Sequence, residues 1–363
     1  MRFTSRAILM TAGLVLGAFN ANAATGADGC APIGKAHFTC VSGNAEDLVA
    51  IPGSDWIVIS GVLRAVNTKD NSEVSLFTAE NRLDGKLYGS CPGPLTGAEI
   101  ADKKIHAHGI NVREGKGGLH TLYVVHHGSR ESVEVFELDA RGKAPKTAWV
   151  GCVPAPADAG FNGLAVLPDN GVAVTSFTRR SMGGFRGEKG KMTRERLAKG
   201  ENVSEIWEWM PGKEWTIIPG SEGPGLNGVE ASKDGKYLYA SAWATGEIIR
   251  YTRGQTPSEK KILGKVNFHA DNIRWQPDGS LVTAGQTGSV DEVLEECLAN
   301  QRCTKTASSV AIIDPASGKV REVVTGYPSN GEFDLSTAAL IAGKEMWVGS
   351  IGRGARIARF PLQ

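Results

Sequence analysis

Two carboxylates, three amides and a group of histidines are the residues of this chain whose types and spacing point to chemistry. Glu46, His108, Asn162, Asn227, Asp271 and Ser336 each open a short segment, as in Glu46-Asp47-Leu48-Val49-Ala50, Asn162-Gly163-Leu164-Ala165-Val166 and Asp271-Asn272-Ile273-Arg274-Trp275. Singly, Asn-Gly and Asp-Asn pairs are turn chemistry. Recurring at one offset in six segments, they form a set that a fold could gather at one point. Two carboxylates gathered in a dry cavity repel, unpaired amides are costly to bury, and a hard cation removes both costs. Calcium takes about six to eight oxygen ligands in irregular geometry. Glu46, Asn162, Asn227, Asp271 and Asn272 offer oxygen alone, with two negative charges against a divalent ion. Magnesium prefers a strict octahedron with retained waters, and zinc or copper would ask for His or Cys, so the set predicts calcium.

Four of the seven histidines, His106, His108, His126 and His127, fall in one stretch: one pair where a strand begins, the other where the next strand ends. In an antiparallel pair these two ends are neighbours, which brings His108 and His127 to the same rim. There one imidazole can act as base toward a water beside the metal while the other relays the proton, work suited to a side chain titrating near neutrality. The chain has no Gly-x-Ser-x-Gly elbow, His-Glu-x-x-His helix, phosphate loop or dinucleotide fingerprint. Metal-assisted hydrolysis is the enzymatic candidate that remains.

The elements that must position these residues are strands. Each of the six segments is followed by a turn signal and a second apolar run: Trp56–Ser60, Leu119–Val125, Val172–Thr175, Tyr237–Ala240, Leu281–Thr283 and Met346–Gly349. Pro52, Pro168 and Pro277 stand at one offset where three of the turns begin. Six repeats over about 340 residues average about 57 each, which predicts an all-β, six-bladed β-propeller with some extended connections. Its innermost strands line a central metal-binding channel, and the six opening residues converge near the axis. A β-sandwich or a pair of β-domains would not explain a polar residue at one offset in six repeats.

With 40 Lys+Arg against 39 Asp+Glu and 41% hydrophobic residues, the 363-residue chain is an ordinary globular protein without the concentrated basic face that nucleic-acid binding requires. Arg2 and Arg6, the apolar run Ala7–Phe19 and the small residues Ala21-Asn22-Ala23 have the layout of a secretory signal peptide over 1–23, leaving a propeller domain over 24–363 with a charge of about −1. No later stretch approaches the roughly 18 apolar residues of a membrane helix. Export, with the periplasm as the expected destination, makes the six cysteines disulfide partners. Proximity in sequence would join Cys30 to Cys40 and Cys297 to Cys303, leaving Cys91 for Cys152, among the many connectivities that six cysteines allow.

From about Gly43 onward the chain resembles the calcium-dependent paraoxonase/arylesterase family, within the gluconolactonase and senescence-marker-like propellers. The resemblance is carried by Asn44-Ala45-Glu46-Asp47-Leu48, His108-Gly109-Ile110, His126-His127, Phe161-Asn162-Gly163, Asn227-Gly228-Val229 with Asp234-Gly235-Lys236-Tyr237, and Asp271-Asn272-Ile273. It implies that Glu46, Asn162, Asn227, Asp271 and Asn272 hold a catalytic calcium, that His108 and His127 form a catalytic dyad, and that the reaction is hydrolysis of lactones and aryl esters. It also implies a second, structural calcium on Asp47 and the backbone of Ile110, although the remaining carboxylate of that site falls at Gly163. The family's bridge between the chain ends has no counterpart, since no cysteine follows Cys303.

An insertion from Thr178 to Lys199 carries eight Lys+Arg and two Glu, with a short helix expected over Met192–Ala198. A run of this kind is commonly a solvated loop. Reaching over the site as a basic lid, it would favour a lactone or ester substrate bearing negative charge, and its polarity argues against insertion into a membrane. The competing functions are a sugar-lactone hydrolase of the gluconolactonase type and a non-catalytic propeller that binds a ligand or protein with calcium as a structural ion.

Overall fold

The computed structural model describes residues 30–78, 80–95, 105–352 and 354–362, so the expected signal peptide over 1–23 lies outside the described residues. Six four-stranded antiparallel sheets are arranged as the blades of a propeller. Their innermost strands are Leu48–Ala50, Ala107–Arg113, Phe161–Val166, Leu226–Ala231, His269–Trp275 and Ser336–Ala342, the six segments read from the repeat. The second strands, including Trp56–Ile59, Leu119–His127 and Tyr237–Ala242, fall where the turn signals put them.

Burial explains the sequence of each layer. A second strand is sandwiched between neighbouring blades, so Trp56–Ile59 and Val172–Ser176 are buried at every residue and read as unbroken apolar or small runs. An outermost strand such as Lys260–Lys265 is largely exposed, and its lysines discourage pairing with another chain. The core is divided into wedges, one between each pair of adjacent blades, such as Val58, Leu63, Ile110 and Val124 between the first two. The ring is closed by strand pairing: His37–Cys40 lies along Arg356–Pro361, from His37 opposite Arg359 to Cys40 opposite Arg356.

Disulfides join Cys30 to Cys40 and Cys297 to Cys303, the pairs expected from sequence proximity, and Cys91 to Cys152, the pair expected as the remainder. Among the described residues no helix is long and apolar enough to cross a membrane.

Two blades carry long connections between their second and third strands. In the third blade the connection holds a helix, Gly187–Ala198, and in the fifth a π-wound helix, Glu292–Ala299. The first of these begins five residues before the expected Met192. Gly187 and Gly190 lower its propensity, yet Gly190 is required, because a Cβ there would lie 2.2 Å from the Phe185 carbonyl carbon. In an antiparallel blade the end of the second strand sits beside the start of the first, so both insertions rise on the face where the inner strands begin.

Candidate functional site

Four of the six inner strands are interrupted at the same place by a β-bulge, two residues standing against one: His108-Gly109, Asn162-Gly163, Asn227-Gly228 and Asp271-Asn272. A bulge re-aims side chains, here toward the axis. The glycines follow from crowding around that axis. A Cβ on Gly163 would meet the Asn227 carbonyl oxygen at 2.5 Å, and one on Gly228 would meet the Ile273 nitrogen at 2.4 Å. Hydroxyls on the second strands lock the arrangement: Thr175 accepts from Gly163 N at 2.9 Å and donates to the Asn227 carbonyl, and Ser241 accepts from Gly228 N at 2.9 Å and donates to the Asp271 carbonyl.

The result is a cleft whose floor includes Glu46, His108, Asn162, Asn227 and Asp271. Glu46 Oε1 accepts from Asn272 Nδ2 at 2.9 Å and lies 3.4 Å from His108 Nε2. Asp271 Oδ2 accepts from Gln286 Nε2 at 2.9 Å, and Gln286 Oε1 accepts from Trp243 Nε1 at 3.0 Å, tying an acidic side chain of the floor to an aromatic wall. The second oxygen of each carboxylate and the oxygens of the three amides are another matter. Glu46 Oε2, Asn162 Oδ1, Asn227 Oδ1, Asp271 Oδ1 and Asn272 Oδ1 are all buried without a hydrogen-bond partner. Burial raises the Glu46 pKa to about 7 and holds that of Asp271 well above the usual carboxylate range, with Glu46 adding to the rise at Asp271. Among the described residues no group of three His, Cys, Asp or Glu converges as a metal cluster. The donor set here instead has two carboxylates and three amides, the composition a hard, oxygen-seeking ion accepts and zinc does not.

Ser336, the sixth converging position, does not join the set. Its hydroxyl donates to the Gly285 carbonyl at 2.6 Å, and Thr337 lines the cleft in its place. In the last blade the pairing slips by one residue between Ser336 and Ala338, which turns the neighbouring side chain inward.

Asp47 and Ile110, expected to hold a second ion, already face a cation. The buried Arg274 guanidinium donates through Nη2 to both the Asp47 carboxylate and the Ile110 carbonyl. Its other donors go to the Leu48 carbonyl at 3.0 Å, and to Glu230 Oε1 and the Ile273 carbonyl at 3.2 Å each. All five donors of the guanidinium are thus used, on partners in four blades. Glu230 also lies 3.4 Å from Asn111 Nδ2, which donates at 3.0 Å to the Leu164 carbonyl in a fifth blade. At Asp47 and the Ile110 carbonyl an arginine side chain supplies the positive charge that the resemblance assigned to a second calcium, and nothing in the sequence pattern singled it out.

His108 and His127 stand edge to face with ring centroids 5.0 Å apart, as the hairpin geometry required. Burial, and then the nearby His127, lowers the His108 pKa to about 3, which keeps the ring neutral but makes it a weaker proton acceptor than the near-neutral imidazole expected from the sequence. Glu131, absent from the sequence reading, takes His127 Nδ1 at 2.9 Å. The upper walls are apolar: Phe177, Phe185, Trp243, Val293, Leu294, Leu298 and Leu335. They come largely from the two insertions, which Arg194 clasps together by pairing with Asp291 at 2.6 Å and with Glu295. The charge of the expected basic lid is therefore partly matched from outside the insertion, Arg196 pairing with Glu201, while Arg186 donates to the Ala299 carbonyl. Arg179 and Arg180 alone of its arginines line the cleft mouth, each within 4.0 Å of a carboxylate, Glu205 and Glu131.

No family model matches the chain, and no curated protein matches it. Solved structures do. A luciferin-regenerating enzyme superposes with a TM-score of 0.52 at 10% identity over 90% of this chain and 95% of its own. A calcium-binding protein, regucalcin, from Agrobacterium tumefaciens strain C58 gives 0.49 at 10% identity over 89% and 91%. At such identity the first likeness shows the fold alone, so the chemistry rests on the residues of this chain.

Proposed function

We propose that this protein is an exported, calcium-dependent hydrolase of lactones or aryl esters. The observation that carries the reading is the convergence of five partnerless buried oxygens, from Glu46, Asn162, Asn227, Asp271 and Asn272, beside a neutral histidine at the floor of a cleft. Unmet acceptors with two carboxylates among them call for a divalent cation. When bound, calcium would supply Lewis-acid polarisation of the substrate carbonyl and stabilise the negative charge developing on its oxygen. His108, neutral and only weakly basic, passes a proton from the attacking water to His127 beside it, which carries that proton away from the floor. The apolar walls hold the body of the substrate and exclude water from the reacting carbonyl.

The same walls favour an aryl or alkyl substrate over a polyhydroxylated one, whose hydroxyls would lose their water partners against Phe177, Trp243 and Leu294 without replacement. An anionic group on the substrate would have to meet Arg179 and Arg180 at the mouth. The three disulfides support an oxidising destination such as the periplasm.

The test is a substrate panel: phenyl acetate, an aromatic lactone, an aliphatic lactone and gluconolactone, with native protein, Glu46→Gln and Asn227→Ala. The expected result is turnover of the first three above gluconolactone, falling by more than about a hundredfold in either variant while the melting transition survives. Substrate-independent inactivity of the native protein, with calcium still raising its melting temperature, would make the ion structural and the propeller a binding module.

A further inference from the structure

We propose that Glu131 is a positioning residue that sets the tautomer of His127, and with it the nitrogen through which the histidine pair accepts a proton; the inference rests on the hydrolase reading above and deepens it. Glu131 opens the third strand of the second blade, directly opposite His127 in the register of the hairpin. Its side chain is 9% exposed and held by two blades. Oε2 faces His127 Nδ1 at 2.9 Å, while Oε1 accepts from the backbone N–H of Phe161 at 3.1 Å, the residue before Asn162. Arg180 Nη1 lies 3.7 Å away from Oε2. With one oxygen fixed by the third blade, the other cannot swing away from the imidazole.

An ionised carboxylate only accepts, so the hydrogen between Glu131 and His127 belongs to Nδ1. That leaves Nε2 as the nitrogen of His127 free to accept, on a ring whose centroid lies 5.0 Å from that of His108. A proton taken from water by His108 then has a place to go: it leaves the water O–H, passes through His108 to His127 Nε2, and returns to the leaving alkoxide oxygen. While it resides on His127, the positive ring is matched by the Glu131 charge. The same carboxylate couples the histidine pair to the Asn162 bulge through Phe161, which fixes the spacing between proton acceptor and ion-binding oxygens.

Glu131→Gln separates this role from simple support. The Phe161 N–H still requires an acceptor, so the amide oxygen stays there and the NH₂ group turns to His127, forcing the proton onto Nε2. Side-chain ¹⁵N NMR, with His127 assigned by its own substitution, should show the Nδ1–H form in the native protein and the Nε2–H form in Glu131→Gln. In parallel, kcat on phenyl acetate should fall by about 10² to 10⁴ with KM, calcium affinity and melting temperature nearly unchanged, and Glu131→Asp should recover part of the loss. His127 found as Nε2–H in the native protein, or an unaltered kcat in Glu131→Gln, would overturn the assignment. A native protein inactive on every substrate would instead sink the hydrolase reading, and the tautomer claim would then stand or fall on the NMR alone.

Discussion

Glu46 is the residue on which the site turns. It is 3% exposed, hydrogen-bonded on one oxygen and unpartnered on the other, and burial lifts its pKa from 4.5 to about 7. A raised carboxyl keeps its proton below that value, so an incoming cation must displace the proton there and finds a bare carboxylate above it. Calcium affinity should therefore tighten by about tenfold between pH 6 and pH 8, with proton release at the lower pH, as titration in two buffers of different ionisation heat would measure. Four of the five unpartnered oxygens, those of Glu46, Asn162, Asn227 and Asp271, were legible in the sequence because their residues recur at one offset, and Asn272 follows the last of them. Arg274 and Glu131 were not, since each acts across blades: Arg274 reaches Asp47 from 227 positions away, and Glu131 meets His127 only through the register of a hairpin. Ser336 shared the offset and was misread, because a one-residue slip in pairing decides whether it or Thr337 faces the channel.

Among the elements, the bulged inner strand is the unit that makes a site out of a sheet. Asn162 can face the axis only if Gly163 lets the neighbouring strand close in, since a Cβ added there would lie 2.5 Å from the Asn227 carbonyl oxygen and 2.7 Å from the Gly228 Cα. Both neighbours are backbone, which cannot give way. Gly163→Ala should cost about 1 to 3 kcal/mol in urea unfolding and weaken calcium binding as well, whereas the same change at Gly212, which has open space around it, should leave calcium binding untouched. Inner and second strands were readable from turn signals and apolar runs. The lid was not, since its docking depends on Arg194 finding Asp291, 97 positions later, and on an apolar cluster of Phe177, Leu197, Val293 and Leu294 shared by two insertions. A charge count over one insertion reads the arginines as free when their partners lie in the other.

At the scale of the whole molecule, six wedges of core hold the blades and two devices hold the ring. Strand His37–Cys40 closes it at the rim, and the Arg274 guanidinium ties its inner strands beneath the oxygen cluster. Because that arginine satisfies Asp47 and the Ile110 carbonyl, the ion proposed above is left with the five unpartnered oxygens of the cleft floor as its one place. The most direct measurement is calcium titration of chelator-stripped protein, with phenyl acetate hydrolysis followed in the same samples. The account predicts one calcium per chain and turnover that rises from near zero in proportion to the bound ion. Saturation at two ions, or hydrolysis that proceeds undiminished in the stripped protein, would contradict it.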